Sequence, residues 1–265
     1  MMSVDSMEEL KLAVVTGAAQ GIGRETARAL AKAGYELVLH DLREPVETLA
    51  QLRTHSTRTM AVTGDVTSQA DIELLAREIS VRFGRVDVLV NNAGISSIAA
   101  AEKTMPEEWR RVIEVNLTGP FLLCRAIGTM MLEAGQGSIV NVASIAALAG
   151  IADRVAYNAS KHGLLGLTRT LAAEWGGRGV RVNAVCPGWV KTEMDVADQS
   201  SGAYTDRDIT ERVPQARFAT AADVAAAIVF LADPARSGFV NGVALPVDGG
   251  WLADASWNAL RLHHR

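Results

Sequence analysis

Residues 11–23 read Lys-Leu-Ala-Val-Val-Thr-Gly-Ala-Ala-Gln-Gly-Ile-Gly. Lys11–Thr16 is a short run of β-branched and apolar residues, as expected of a buried strand. The turn Thr16-Gly17-Ala18-Ala19-Gln20-Gly21-Ile22-Gly23 follows, and helical spacing of apolar residues then runs over Gly21–Ala33. A strand that ends in glycines and reopens as a helix is the arrangement that binds a pyrophosphate. Gly17, Gly21 and Gly23 permit a tight turn and close backbone approach, and the helix aims its first N–H groups at the anion. A plain strand-to-helix turn also uses glycines. It is the strand before and the helix after that give the cluster its meaning.

The same alternation continues outward. Strand-like runs are read at Glu36–Asp41, Thr59–Asp65, Val86–Asn91, Gly137–Ser144, Val180–Cys186 and Gly242–Val247. Helical patterns are read near Pro45–Arg53 and over Gln69–Phe83, Pro106–Glu133, Tyr157–Trp175 and Ala221–Ala232. Strands alternating with helices predict an α/β fold: one doubly wound Rossmann-type domain with a parallel sheet of about seven strands and helices on both faces. No linker, composition break or repeat divides the 265 residues. Residues 1–10 read as an N-terminal extension and 251–265 as a C-terminal tail. Lys191–Val213 is polar and irregular, and lies past a strand end, where ligand lids are built.

Composition limits the function classes. Hydrophobic residues make up 49% and charged residues 21%, with a net charge of −4, an ordinary globular balance. The mild acidity argues against a nucleic-acid or anionic-membrane surface. No run approaches 18 uninterrupted apolar residues, so no membrane span is expected. Met1–Leu10 carries acids where a signal peptide needs bases. Cys124 and Cys186 stand 62 positions apart without a Cys-x-x-Cys or a nearby His, as in a reducing compartment. A cytoplasmic protein without a metal site is the expectation.

The glycine spacing is Gly-x-x-x-Gly-x-Gly, and the chain here resembles the short-chain dehydrogenase/reductase family, with its fingerprint Thr-Gly-x-x-x-Gly-x-Gly. The resemblance runs from about Lys11 to Gly250. It includes Asn91-Asn92-Ala93-Gly94, Ser144 followed 13 residues later by Tyr157-x-x-x-Lys161, and Pro187-Gly188. It implies a catalytic set of Asn116, Ser144, Tyr157 and Lys161. It also implies cofactor contacts from Gly17, Gln20, Gly21, Ile22, Gly23, Asp65, Val66, Asn92, Ala93, Gly94, Tyr157, Lys161, Pro187, Gly188, Val190 and Thr192. The implied reaction is reversible hydride transfer between NAD(H) and a secondary alcohol. Tyr157 takes the hydroxyl proton, Ser144 holds the oxygen and Lys161 contacts the nicotinamide ribose. Asn116 holds a water that links Lys161 to solvent. A homotetramer is implied too, with one interface between pairs of long helices and another near the last helix and strand.

The residues supply their own chemistry for these roles. Asp41 ends the second strand, 18 residues after Gly23. A carboxylate there accepts ribose hydroxyls and repels a 2′-phosphate, favouring NAD over NADP. Arg43, two positions on, is the one residue that could receive such a phosphate. Tyr157 and Lys161 are i and i+4 on one helix face. A phenol of pKa ~10 is a poor base near neutrality, and the lysine is expected to pull it down. Asn116 in mid-helix is costly unless satisfied, and Gly119-Pro120 just beyond it loosens the helix and frees backbone carbonyls.

The substrate pocket is expected around Ile95-Ser96-Ser97, Ile145-Ala146-Ala147, Ile151, Trp189 and the loop from Met194 to about Tyr204. These residues are mostly apolar or small, with no Arg or Lys cluster waiting for an anion. A neutral polyol, a sugar-like alcohol or a modestly hydrophobic alcohol fits best. The runner-up is an NADPH-dependent 3-oxoacyl-thioester reductase acting on acyl-carrier protein. The long helix ends Leu132-Glu133-Ala134-Gly135-Gln136, with no base to meet an acidic carrier. A non-catalytic NAD-binding sensor is a more distant alternative. The apolar tail residues Trp251, Leu252, Trp257, Leu260 and Leu262 are expected to pack across a subunit boundary.

Overall fold

The computed structural model describes residues 10–54, 58–200, 202 and 204–256. Its centre is a seven-stranded parallel sheet in the order β3-β2-β1-β4-β5-β6-β7. The strands are β1 (Leu12–Thr16), β2 (Glu36–Asp41), β3 (Thr59–Thr63), β4 (Val88–Asn91), β5 (Gly137–Val142), β6 (Val180–Pro187) and β7 (Ala244–Val247). Strand order reverses between β1 and β4. This is the switch point at which an open α/β sheet leaves a crevice beyond its carboxyl ends.

Period-two alternation divides the core. Ala13, Val15, Leu37 and Leu39 face one side, under α1 (Gly21–Lys32) and α9 (Ala221–Ala232). Leu12, Val14, Val38 and Leu89 face the other, under α3 (Gln69–Arg82) and α5 (Gly119–Ala134). Each fully buried aliphatic side chain here contributes roughly 1.5–3 kcal/mol. α1 lies close to its neighbours because the buried side is narrow: Gly23, Thr26, Ala27, Leu30 and Ala31.

Two sequence expectations need correcting. The long helix expected over Pro106–Glu133 is three pieces: α4 (Pro106–Ile113), a π-helical turn at Glu114–Thr118, and α5. Pro120 has no N–H to give the Asn116 carbonyl four residues back, so the ladder widens there. Pro106–Ala134 also has the length and mean hydropathy, 1.3, of a membrane-crossing helix. In this fold Leu123, Cys124, Ile127 and Met131 are instead buried against the sheet. The second correction is to Lys191–Val213, which is not simply a loop. It contains α7 (Glu193–Gln199) and α8 (Asp206–Arg212), the latter opened by a capping box between Thr205 and Asp208. Two further helices, α2 (Val46–Leu52) and α6 (Val155–Trp175), lie near their expected positions, while the one-turn α10 (Pro234–Ser237) was not foreseen.

Candidate active site

A cleft of about 740 Å³ opens along the carboxyl edge of the sheet. It runs from Asp41 and Arg43 past Asp65 and Val66, then the turn after β1 and Asn92-Ala93-Gly94, to Ser144, Tyr157, Lys161 and Trp189. Pro187, Gly188, Val190 and Thr192 form part of its wall. Gly23 and Asn116 stand behind the lining residues.

The turn after β1 is shaped for close approach by an anion. Gly17 and Gly21 have φ of 63° and 53°, a region that side chains disfavour. A Cβ at Gly23 would lie 2.0 Å from the Gly17 carbonyl oxygen. Gln20, at the N-cap of α1, makes no side-chain capping bond, and the first turn carries no acid. The first amides of α1 are therefore open to an anion. Asn92 braces the turn: its Nδ2 donates to the carbonyls of Thr16 and Gly17 at 2.9 and 3.1 Å, while Thr16 Oγ1 accepts from the Asn92 and Ala93 amides.

At the far end, Asp41 accepts from the Ala19 amide at 2.9 Å through Oδ2 and from the Arg43 amide at 3.1 Å through Oδ1. A carboxylate has about four acceptor positions, so capacity for ribose hydroxyls remains. The Arg43 guanidinium donates to Gln20 Oε1 at 2.7 Å. Asp65 closes a local turn by accepting from the Thr67 amide and hydroxyl, and Ser68 caps α3. These residues fit an adenosine diphosphate: a carboxylate for the ribose, an uncapped helix for the phosphates, and a glycine turn that a Cβ would block.

Ser144, Tyr157 and Lys161 meet beyond β5. The Ser144 hydroxyl accepts the Ala146 amide at 3.1 Å and pulls the Tyr157 phenol down. Lys161 is buried, donates to the Val142 carbonyl at 2.8 Å, and stands 5.6 Å from the centre of the Tyr157 ring. Burial pulls its pKa down to about 8. Burial likewise pushes the Tyr157 phenol up, with Ser144 and Arg154 pulling the other way. Desolvation is the largest influence on the phenol, and the same burial weakens the lysine's own proton.

Asn116 is fully buried and satisfied. Its Oδ1 accepts from the Ile95 amide at 2.9 Å, and its Nδ2 donates to the Ile95 carbonyl and to Ser160 Oγ. The side chain therefore ties the π turn to the segment after β4 and to α6. Pro120, four residues on, has no N–H to offer the Asn116 backbone carbonyl.

Of the expected substrate residues, Ile95, Ser96, Ile145, Ile151, Trp189, Met194 and Tyr204 line the cleft, whereas Ser97, Ala146 and Ala147 are buried behind it. Asp195 and Asp198, within the expected Met194–Tyr204 stretch, also line it, as does Arg154, which the sequence reading did not single out. No Arg or Lys cluster was expected at the pocket, and the arginine that reaches it, Arg154, is paired with Asp198. Its position three residues before Tyr157 was the available signal. The stretch that becomes α7 was expected at the cleft; that it is helical and is tied to Arg154 was not.

A family model described as enoyl-(acyl carrier protein) reductase matches residues 17–252. A D-threitol dehydrogenase from Mycolicibacterium smegmatis is 42% identical over 243 residues, covering 91% of this chain and 92% of that protein. The chain belongs to the short-chain dehydrogenase/reductase family. A 3-oxoacyl-[acyl-carrier-protein] reductase from Synechocystis sp. is 35% identical, covering 91% of this chain and 97% of the relative. A proposed NAD(P)-dependent gluconate 5-dehydrogenase from Beutenbergia cavernae, solved with NADP at low occupancy, superposes with a TM-score of 0.87. It is 42% identical and covers 92% of this chain and 97% of that one. Membership makes the chain an NAD(P)-dependent oxidoreductase acting on CH–OH groups.

Proposed function

We propose that this single-domain short-chain dehydrogenase oxidises a neutral polyol or related secondary alcohol with NAD, reversibly. The observation that carries the proposal is the convergence of Ser144, Tyr157 and Lys161 at one end of a cleft whose other end is closed by Asp41. A bound nicotinamide supplies the hydride acceptor. Tyr157 receives the carbinol proton at its phenolic oxygen, and Ser144 fixes the substrate oxygen by hydrogen bonding. Lys161, held by the Val142 carbonyl, stabilises the phenolate and passes the proton toward a water at the Asn116 carbonyl.

Gly17, Gln20, Gly21, Ile22 and Gly23 form the pyrophosphate turn in this reading. Asp65 and Val66 would meet the adenine edge, and Asn92, Ala93 and Gly94, which line the same cleft, would contact the cofactor. Pro187, Gly188, Val190 and Thr192 hold the carboxamide. Preference for NAD rests on Asp41, with Arg43 engaged by Gln20. The similar structure from Beutenbergia cavernae carries NADP, so the preference needs direct measurement. The carrier-protein reductase reading is favoured by the Synechocystis relative, but no base stands at the end of α5. A cytoplasmic homotetramer completes the proposal, supported by two buried free cysteines and by Phe121 and Phe239 exposed at 46% and 105%.

The test is a panel of neutral polyols, simple secondary alcohols, hydroxy acids and 3-oxoacyl thioesters, each with NAD(H) and NADP(H), read by nicotinamide absorbance. Turnover confined to a 3-oxoacyl thioester with NADPH would replace the proposal with the reductase reading.

A further inference from the structure

Arg154 stands at the entrance to α6, three residues before Tyr157, and both side chains reach the same cleft. Arg154 is only 7% exposed. Its Nη1 donates to Ser96 Oγ at 2.6 Å and to Asp198 Oδ2 at 2.8 Å. Among the described residues, both of its side-chain hydrogen bonds leave from Nη1, and the guanidinium carbon lies 5.6 Å from the centre of the Trp189 ring.

Asp198 belongs to α7, which is tied down at further points. Asp195, one turn earlier, accepts the Tyr204 hydroxyl at 3.0 Å and pairs with Lys191 at 3.2 Å. The Tyr204 ring packs on Trp189 at 5.0 Å between centroids. The result is a built polar wall in a pocket otherwise lined by Ile145, Ile151 and Trp189. Proton and hydride transfer do not call for it. A buried ion pair carries a desolvation cost that apolar residues of the same volume would avoid.

We infer that Arg154 and Asp198 are specificity-determining residues that bind a second hydroxyl of the substrate and reject substrates bearing a carboxylate. The inference rests on the dehydrogenase reading above. A hydroxyl both donates and accepts, and the pair offers a donor and an acceptor side by side. An alkyl group in the same place covers the ion pair without adding a hydrogen bond to it, whereas a hydroxyl adds one to each partner. A carboxylate gains Arg154 but meets Asp198, with Asp195 one helical turn away, so repulsion cancels the attraction. Without the Asp198 charge, the remaining guanidinium is a fork suited to a carboxylate.

The experiment is a ligand-observed NMR titration of the protein saturated with reduced cofactor, using threitol, 2-butanol and 3-hydroxybutyrate, alongside initial rates with the oxidised form. Wild type is expected to bind threitol at least about tenfold more tightly than either of the others. Asp198→Asn should shift the ratio of 3-hydroxybutyrate to threitol affinity by about tenfold or more toward the acid. Arg154→Met should lose the threitol preference while 2-butanol binding is kept. If Arg154→Met does not fold, Arg154→Gln/Asp198→Asn removes both charges together and has to show the same loss. Equal binding of threitol and 2-butanol by wild type, or an unchanged acid-to-polyol ratio in Asp198→Asn, overturns the inference. Turnover of 2-butanol without the binding pattern overturns this inference alone. The binding pattern without turnover of any alcohol overturns the dehydrogenase reading instead.

Discussion

Tyr157, Asp41 and His40 carry the predictions that belong to single residues. If Tyr157 is the proton acceptor, Tyr157→Phe removes about 10²–10⁴-fold of kcat, the usual worth of a general base, and leaves cofactor affinity unchanged. Stopped-flow rates beside cofactor fluorescence titration check this, and retention of a tenth of the activity would remove Tyr157 from the role. Asp41 should give NAD at least about a tenfold advantage in kcat/KM over NADP, or about 1.4 kcal/mol, and Asp41→Ala should narrow that gap. Equal use of both cofactors by wild type would mean that Arg43 outweighs Asp41. His40 is fully buried on β2, and among the described residues neither ring nitrogen has a hydrogen-bond partner. Burial lowers its pKa against the pull of Asp41, Asp71 and Asp65. The unfolded chain therefore binds the proton more readily, and its advantage appears below the unfolded pKa of about 6.5. Stability should fall as pH drops below that value. Denaturant melts of His40→Leu from pH 7.5 to 5 should show a shallower decline than wild type; parallel curves would refute the assignment.

The elements matter through how they end. β1 ends in a turn whose glycines are set by space as much as by backbone freedom. Gly23→Ala would press its Cβ against the Gly17 carbonyl and against Asn92 Nδ2, 2.0 and 2.5 Å away. Since those neighbours are a backbone and a braced amide, the turn itself has to move. We expect a stability loss of about 1–3 kcal/mol and a tenfold or greater loss of dinucleotide affinity, measured by thermal melts and fluorescence titration. Normal affinity in this variant would show that the turn does not hold the phosphates. The break between α4 and α5 follows the same logic. Pro120 was visible in the sequence, and its lack of an N–H marked where the helix would loosen. That the loosening takes the form of a π turn, with Asn116 pinned to Ile95 and Ser160, depends on α6 and the segment after β4.

For the whole molecule, the question is how its outer apolar surfaces are used. Phe121 on α5 and Phe239 before β7 are exposed at 46% and 105%, on the two regions expected to form two-fold interfaces. Exposed aromatics of this size are seldom left in water. Analytical ultracentrifugation at micromolar concentration should give a tetramer, and Phe239→Asp should reduce it to dimers with the fold intact. A wild-type monomer would defeat the assembly. The start of the tail packs on its own subunit: Arg212 of α8 lies 4.8 Å from the Trp251 ring centre and pairs with Asp254. Of the five residues of the expected boundary contact, Trp257, Leu260 and Leu262 lie outside the described residues.

Much was fixed by local rules. The period-two runs, the glycine turn after β1, Asp41 at the end of β2 and the i, i+4 pairing of Tyr157 with Lys161 all depend on neighbours within a few residues, so they could be read along the chain. The βαβ alternation announced a doubly wound parallel sheet, but the order of its strands, reversing between β1 and β4, came from the structure. What only tertiary structure decided involves residues far apart. Burial, not the lysine, dominates the Tyr157 phenol, because desolvation depends on everything packed around a group. The joining of Arg154 to Ser96 and Asp198 spans 58 and 44 positions. No local pattern records such a meeting: it arises where β4, α6 and α7 converge at one edge of the sheet.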